Sequence, residues 1–116
     1  MLRDRREQAA FVVAGMGSLD QARLRFAGRD EPELVTGALE ILTLTGSLSR
    51  DGAHLHMSIS DRDGRVLGGH VAHDCRVRTT AEILLVLMPE WSFSRELDPA
   101  TDYPELAIRA NTEPRP

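Results

Sequence analysis

The sequence predicts an α+β fold in which one main helix covers a curled, mostly antiparallel β-sheet. Stretches of alternating apolar and polar residues recur along the chain, and this period is typical of half-buried strands. Glycine, proline and aspartate separate these stretches and mark the turns. One N-terminal segment is rich in residues that favour a helix. The length of 116 residues, with 41% hydrophobic and 28% charged residues, fits one folded domain.

The first elements are predicted to be a short helix and two strands. Leu2 to Ala10 contain many Arg, Glu, Gln and Ala residues, so this segment is the predicted helix. Phe11 to Ala14 are β-prone and end at Gly15-Met16-Gly17, where two glycines permit a sharp reversal. Apolar and charged residues alternate from Ala22 to Phe26, which predicts a second strand after this turn.

The remaining elements are predicted to be strands joined by turns. Leu34 to Leu48 is the longest β-prone segment, and Arg50-Asp51-Gly52 ends it with a turn. His54 to Ser60 and Arg65 to Val71 then form a hairpin around the turn at 61–64. Further strands are predicted at Thr79 to Met88, Trp91 to Arg95 and Glu105 to Arg109. We expect a single domain over residues 1–110. Residues 111–116 contain two prolines and otherwise only polar residues, so we expect them to form a frayed tail.

Charge and composition exclude several classes of protein. Fourteen arginines face eighteen carboxylates, and the net charge of −4 weighs against a free-standing nucleic-acid binder. Cys75 is the only cysteine, so an intramolecular disulfide is excluded and a reducing cytoplasm is the expected compartment. The longest apolar run, Ile83 to Met88, is far shorter than the roughly 20 residues that cross a bilayer. We therefore expect no membrane association.

The histidines are the clearest functional signal in the sequence. All four lie between positions 54 and 73, and His54 and His56 project from the same face of a strand. A three-residue loop over 62–64, with its glycine in a left-handed conformation, would place His70 directly opposite His56. Three imidazoles would then converge. A four-residue loop would instead pair Leu55 with His70 and send the third histidine to the other face.

This histidine set predicts a metal site. Three neutral imidazoles with a free fourth position are typical of open, reactive zinc sites, and Cys75 or His73 would close the site if either joined it. We therefore predict zinc bound by His54, His56 and His70. Glu40 and Glu82 lie on apolar strands and are the candidate catalytic carboxylates, because either would accept a proton from metal-bound water. A structural ion pair is the role expected ahead of catalysis for each.

The motifs together resemble one known family. They are Leu39 to Gly46, His54-Leu55-His56, Asp63-Gly64, Gly68-Gly69-His70 and Thr80-Ala81-Glu82. This combination resembles the PPC domain, the "plants and prokaryotes conserved" domain, also called DUF296 or the PD1-like DNA-binding domain. The resemblance covers about residues 8 to 110. Its fold family includes acetolactate decarboxylase, whose zinc is held by a His-x-His pair and a later histidine, so the resemblance implies zinc on the same three histidines here.

The resemblance also implies an assembly and a set of partners. Members of the PPC family are typically homotrimers, and in plants the domain follows AT-hooks that bind DNA. This chain has no Arg-Gly-Arg-Pro run, so it lacks an AT-hook. Two functions remain open on the sequence. One is a cytoplasmic, homotrimeric, metal-binding interaction or regulatory module, whose partner is DNA or a DNA-binding protein. The other is a zinc-dependent lyase or hydrolase acting on a small-molecule ligand.

Overall fold

The computed structural model describes residues 8–111, and all the regular structure in that range is β-strand. The seven strands are β1 (Ala9–Arg25), β2 (Glu33–Ser49), β3 (Gly52–Ser60), β4 (Val66–Val71), β5 (Arg76–Leu87), β6 (Trp91–Asp98) and β7 (Tyr103–Ala110). Within residues 8–111 there is no helix of the length and apolar character needed to span a membrane. The curled antiparallel sheets agree with the sequence prediction, and the predicted helix does not.

The α+β class is therefore wrong for the described chain, which is all-β. Most of the predicted helix, residues 2–7, lies outside the described residues, but Ala9 and Ala10 already belong to β1. Ala10 pairs with Leu48 of β2 on one side and with Leu87 of β5 on the other. Hydrogen bonding to strands on both sides satisfies the backbone here, so tertiary pairing overrides the local preference for helix.

The predicted reversal at Gly15-Met16-Gly17 is also wrong. These residues lie inside β1, which runs unbroken for 17 residues. A side chain at Gly17 would collide with the backbone oxygen of Thr80 on β5, and its φ of 149° favours glycine. A Cβ at Gly15 would press on Leu44 in the core. Both glycines therefore allow close packing of neighbouring strands, and the chain turns only after Arg25.

Four of the strands close on themselves and enclose the core. β1 pairs with β2, β2 with β3, and β3 with β4, and β4 returns to the end of β1 through the pairs Leu24 with Val71 and Arg25 with His70. β5 pairs with the other part of the same edge of β1. The buried residues inside this ring are Val12, Leu19, Ala22, Leu24, Leu39, Ile41, Leu44, Met57 and Ile59.

The β3–β4 hairpin has the register that the sequence predicts. The Asp61 N–H donates to the Arg65 carbonyl over 2.9 Å, which closes the three-residue loop. Gly64 has a φ of 78°, the left-handed conformation that the bulge requires. His56 consequently pairs with His70. This register excludes the alternative in which Leu55 opposes His70.

β6 and β7 form a separate two-stranded sheet that packs on the outside of the ring. Phe93 of β6 is 1% exposed and meets Phe11 of β1 edge to face, with ring centroids 5.6 Å apart. The Arg95 guanidinium donates to Ser47 Oγ on β2 over 2.6 Å. Both strands are longer than the sequence predicts. The predicted tail lies outside the described residues except for Asn111, whose N–H donates to the Glu90 carbonyl.

Candidate metal centre

Three histidine side chains converge on the outer face of the ring. Met57 and Ile59 of β3 point into the core, so the alternating positions His54 and His56 point outward. His70 lies directly opposite His56 and therefore projects on the same side. The imidazole centroids are 5.1 to 5.8 Å apart. One ligand nitrogen from each ring lies within 4.8 Å of the others, so the three residues form a group able to hold an ion.

One atom of this group tests whether a metal would fit. Nδ1 of His70 is buried and has no hydrogen-bond partner among the described residues. A buried polar atom without a partner costs about 1 to 3 kcal/mol, and a metal bond would satisfy it.

The surroundings of His54 and His70 lower the pKa of both rings and so favour the neutral form, which is the form that binds metal. Partial burial is the main cause that lowers the pKa of His54, and the positive charge of Arg95 lowers this pKa further. Burial also lowers the pKa of His70, together with the charges of His54 and Arg25. At neutral pH both rings therefore carry a free nitrogen lone pair.

The two residues that would close the site lie elsewhere. Among residues 8–111, the metal-capable group has three members, and neither His73 nor Cys75 is one of them. Cys75 Sγ accepts a hydrogen bond from the Arg23 N–H over 3.4 Å and approaches the Ala72 carbonyl. The candidate ligands among residues 8–111 are therefore three imidazoles, a set that would leave one position open on a four-coordinate ion.

A cavity of about 510 Å³ adjoins the histidines, between the ring and the β6–β7 hairpin. Its lining residues are Arg25, Ala53, His54, His70, Arg95, Tyr103, Pro104 and Glu105. Nothing in the sequence indicates that Arg25, Arg95, Tyr103 and Glu105 would line the site. Arg25 opposes His70 across strands far apart in sequence, and the other three arrive by packing of the hairpin. No local pattern in the sequence signals either arrangement.

The two candidate catalytic carboxylates are not brought to the histidines within this chain. Glu82 is exposed on β5, pairs with Met16 and lines a separate shallow cavity. Glu40 is exposed on β2, between Ser18 of β1 and Ser60 of β3. No ion pair among the described residues includes either carboxylate. Glu105 is the carboxylate that lines the cavity.

Comparison with known proteins shows that the sequence of this chain matches a known family. Residues 1–88 match the Plants and Prokaryotes Conserved (PCC) domain, the family abbreviated PPC above. The chain is also 50% identical over 109 residues to the Bifunctional protein GlmU of Synechococcus sp. (strain JA-3-3Ab), a match that covers 94% of this chain and 18% of that protein. The chain thus spans less than a fifth of the length of this curated relative.

Solved structures share the fold. A hypothetical protein from Salmonella cholerae-suis (Salmonella enterica) superposes with a TM-score of 0.89 and 37% identity, over 94% of this chain and 79% of that one. A protein from Ralstonia eutropha JMP134, named "Putative DNA-binding protein", superposes with a TM-score of 0.76 and 26% identity. That match covers 93% of this chain and 78% of the Ralstonia chain.

Proposed function

This chain belongs to the Plants and Prokaryotes Conserved domain family, and from that premise we propose that it is a zinc-binding, homotrimeric interaction module. The family match confirms the resemblance drawn from the motifs. One observation carries the proposal of metal binding, namely the convergence of one ring nitrogen each from His54, His56 and His70 to within 4.8 Å of one another. Zinc is the ion that this set favours, because neutral imidazoles in a three-ligand arrangement are a common zinc environment.

The chain's own residues would fix the position of the ion and favour the neutral form of two of its ligands. The β3–β4 register holds His56 and His70 opposite each other, and the i, i+2 spacing brings His54 to the same side. The positive charges of Arg25 and Arg95 lower the pKa of His54, and that of Arg25 lowers the pKa of His70. When bound, a divalent ion there would act as a Lewis acid and lower the pKa of a coordinated water.

Metal analysis of purified protein tests the zinc proposal. We expect close to one zinc per chain in wild type, and a loss of about ten-fold or more in zinc affinity in His56→Ala and His70→Ala, because each substitution removes one of three ligands. His73→Ala is the matched control, since His73 is exposed and outside the group. Equal zinc content in wild type, His56→Ala and His70→Ala would refute the proposal.

The apolar surface of β5 supports self-association. β5 pairs with β1 along one edge, and within residues 8–111 no other strand pairs with it. Large apolar side chains on β5 and the adjoining part of β1 are exposed: Val13, Met16, Val77, Ile83, Leu84, Val86 and Leu87. Copies of the chain would cover this edge and these side chains, and a closed trimer leaves no edge unpaired.

The comparisons support a module that works with other protein parts. A sequence similar to this chain forms less than a fifth of the GlmU protein of Synechococcus, so it occurs there within a longer chain. The Ralstonia relative carries a DNA-binding name, and for this chain we propose that any link to DNA runs through a partner protein. The net charge of −4 supports that choice.

Catalysis on a small molecule is the second candidate function, and the cavity beside the histidines favours it. An open metal position next to a cavity of about 510 Å³ is the arrangement of a zinc-dependent lyase or hydrolase. Hydrolysis of an activated ester that is sensitive to a chelator and absent in His70→Ala would support this function. Hydrolysis that persists in His70→Ala would count against it.

A further inference from the structure

We propose that the cavity beside the histidine triad binds a small hydroxylated anion, whose oxyanion is held by Arg25 and Arg95 and whose hydroxyls face Glu105. The inference deepens the proposed function, because it names the class of ligand that would share this site with the metal. A bound metal ion would strengthen the attraction of the cavity for an anion, but the inference does not require one. Arg25 and Arg95 line the cavity without any contribution from a metal.

Arg25 is placed in the cavity by the sheet. It lies directly opposite His70, so its side chain projects on the same outer face as the triad. Its guanidinium donates to the Arg29 carbonyl over 3.3 Å. The ion pairs of the described residues involve five other arginines, and Arg25 is in none of them. Most of its donors therefore remain available for a ligand.

Arg95 lines the same cavity and lies on β6 of the β6–β7 hairpin. Its guanidinium donates to Ser47 Oγ, and Ser47 lies opposite His54 on the neighbouring strand. This hydrogen bond fixes the side chain beside the triad. The Arg95 backbone N–H donates to the Asp51 carboxylate, but its guanidinium forms no ion pair among residues 8–111. Guanidinium groups bind carboxylate and phosphate oxygens through paired N–H donors, so two unpaired arginines facing one cavity favour an oxyanion.

The rest of the cavity selects among anions. Glu105 leaves one positive charge in excess across the two arginines, and it would repel a second anionic group on the ligand while accepting hydrogen bonds from hydroxyls. Tyr103 adds a phenol, and Ala53 and Pro104 add apolar surface. A volume of about 510 Å³ suits one small molecule rather than a polymer.

The histidines and four of the other cavity residues come from different parts of the chain. The histidines and Arg25 lie within the residues that match the family, 1–88. Arg95, Tyr103, Pro104 and Glu105 lie beyond them, on β6 and β7. The β6–β7 hairpin therefore determines ligand choice at a metal site that the family portion builds.

Titration calorimetry with four probes tests this inference on wild-type protein, both zinc-loaded and zinc-free. Glucose 6-phosphate and gluconate combine an oxyanion with hydroxyls, inorganic phosphate has the charge alone, and glucose has the hydroxyls alone. We expect the two hydroxylated anions to bind at least about ten-fold more tightly than either glucose or phosphate. The better of the two distinguishes a phosphate ligand from a carboxylate ligand.

Substitutions then assign the contacts. Arg25→Gln and Arg95→Gln should each weaken binding of the hydroxylated anions by about ten-fold or more, and Arg95→Lys should retain part of it. Glu105→Gln should tighten binding of inorganic phosphate, because it removes a repelling charge. Arg109→Gln is the control, since this arginine lies on the same hairpin, pairs with Glu96 and does not line the cavity.

The outcomes separate this inference from the proposed function. Zinc-loaded protein that binds none of the anions, or binds glucose equally well, overturns the inference and leaves metal binding intact. Unchanged affinity in both arginine variants overturns it too. Protein that holds no zinc and yet binds the hydroxylated anions through the two arginines supports the inference and refutes the metal proposal. Circular dichroism confirms that each variant retains its sheet content.

Discussion

At the scale of residues, the protonation of His54 and His70 links stability to pH. Both pKa values lie below the ordinary 6.5, mainly because burial disfavours the charged ring. Between pH 6.5 and the lower folded-state pKa values, the unfolded chain binds more protons than the folded chain, so the free energy of unfolding rises with pH. The stability is complete above pH 6.5 and is lost as the pH falls through the folded-state values.

We therefore expect the melting temperature of zinc-free protein to fall as the pH decreases from 7 to 5. His54→Gln and His70→Gln should each flatten that dependence, and His73→Gln is the control because His73 is exposed and lies outside the group of three histidines. Thermal unfolding followed by circular dichroism measures the slopes. The carboxyls of Asp61 and Glu96, whose pKa values are lowered by hydrogen bonds from Arg65 and Arg109, titrate below this window. Identical slopes in all four proteins would contradict the prediction.

The sequence predicts only some of the residues that form the site. His54, His56 and His70 could be predicted because strand alternation and one short turn fix their side and their register. Arg25 and Arg95 could not, because their place depends on the ring closing between β1 and β4 and on where the hairpin packs. Glu40 and Glu82 lie among apolar residues in the sequence but are exposed in the structure, so apolar neighbours in sequence do not imply burial.

At the scale of elements, prediction succeeded where contacts are local. β3 and β4 are joined by three residues, so Gly64 and the alternation on either side determine the hairpin. The prediction for β1 was wrong because the structure of this strand depends on its pairing with β2 and β5. The residues that pair are mostly tens of positions apart in the sequence. Glycines that look like a turn in sequence are there the positions where neighbouring backbones approach closely.

A bulge in β2 is another feature that depends on a partner strand and that the sequence does not predict. Strict alternation from Leu39 would bury Leu39, Ile41 and Thr43 together. The pairing with β3 shifts register between Ile41 and Thr43, so Leu44 joins the core and Leu42 is left 49% exposed. One extra residue reverses which side chains face inward. The sequence carries no local mark of that position, because the partner strand decides it.

At the scale of the whole molecule, the exposed apolar side chains of β5 lead to a prediction about assembly. We expect light scattering at micromolar concentration to give about three times the chain mass of 12.9 kDa. Ile83→Glu should lower the mass to that of a monomer, because the interface would have to bury an unpaired carboxylate. Leu97→Glu is the control, since Leu97 is 68% exposed on the outer hairpin. A monomeric wild type would contradict the prediction.

The charge distribution of the whole molecule predicts weak binding to DNA. Affinity for duplex DNA depends on cations that contact phosphates, and here the net charge is −4. Five arginines of the described chain, Arg23, Arg29, Arg65, Arg76 and Arg109, are already paired with carboxylates. We therefore expect no sub-micromolar complex with a labelled duplex at about 150 mM salt, measured by fluorescence anisotropy.

Two variants make that measurement informative. Asp20→Asn and Glu96→Gln release Arg76 and Arg109 from their ion pairs, so the double variant should bind the duplex more tightly than wild type at low salt. That increase should disappear as salt is raised, because it comes only from phosphate contacts and counterion release. A tight, salt-sensitive complex of the wild-type protein would show instead that the assembled molecule concentrates its unpaired arginines on one surface, and the proposed dependence on a partner protein would then be wrong.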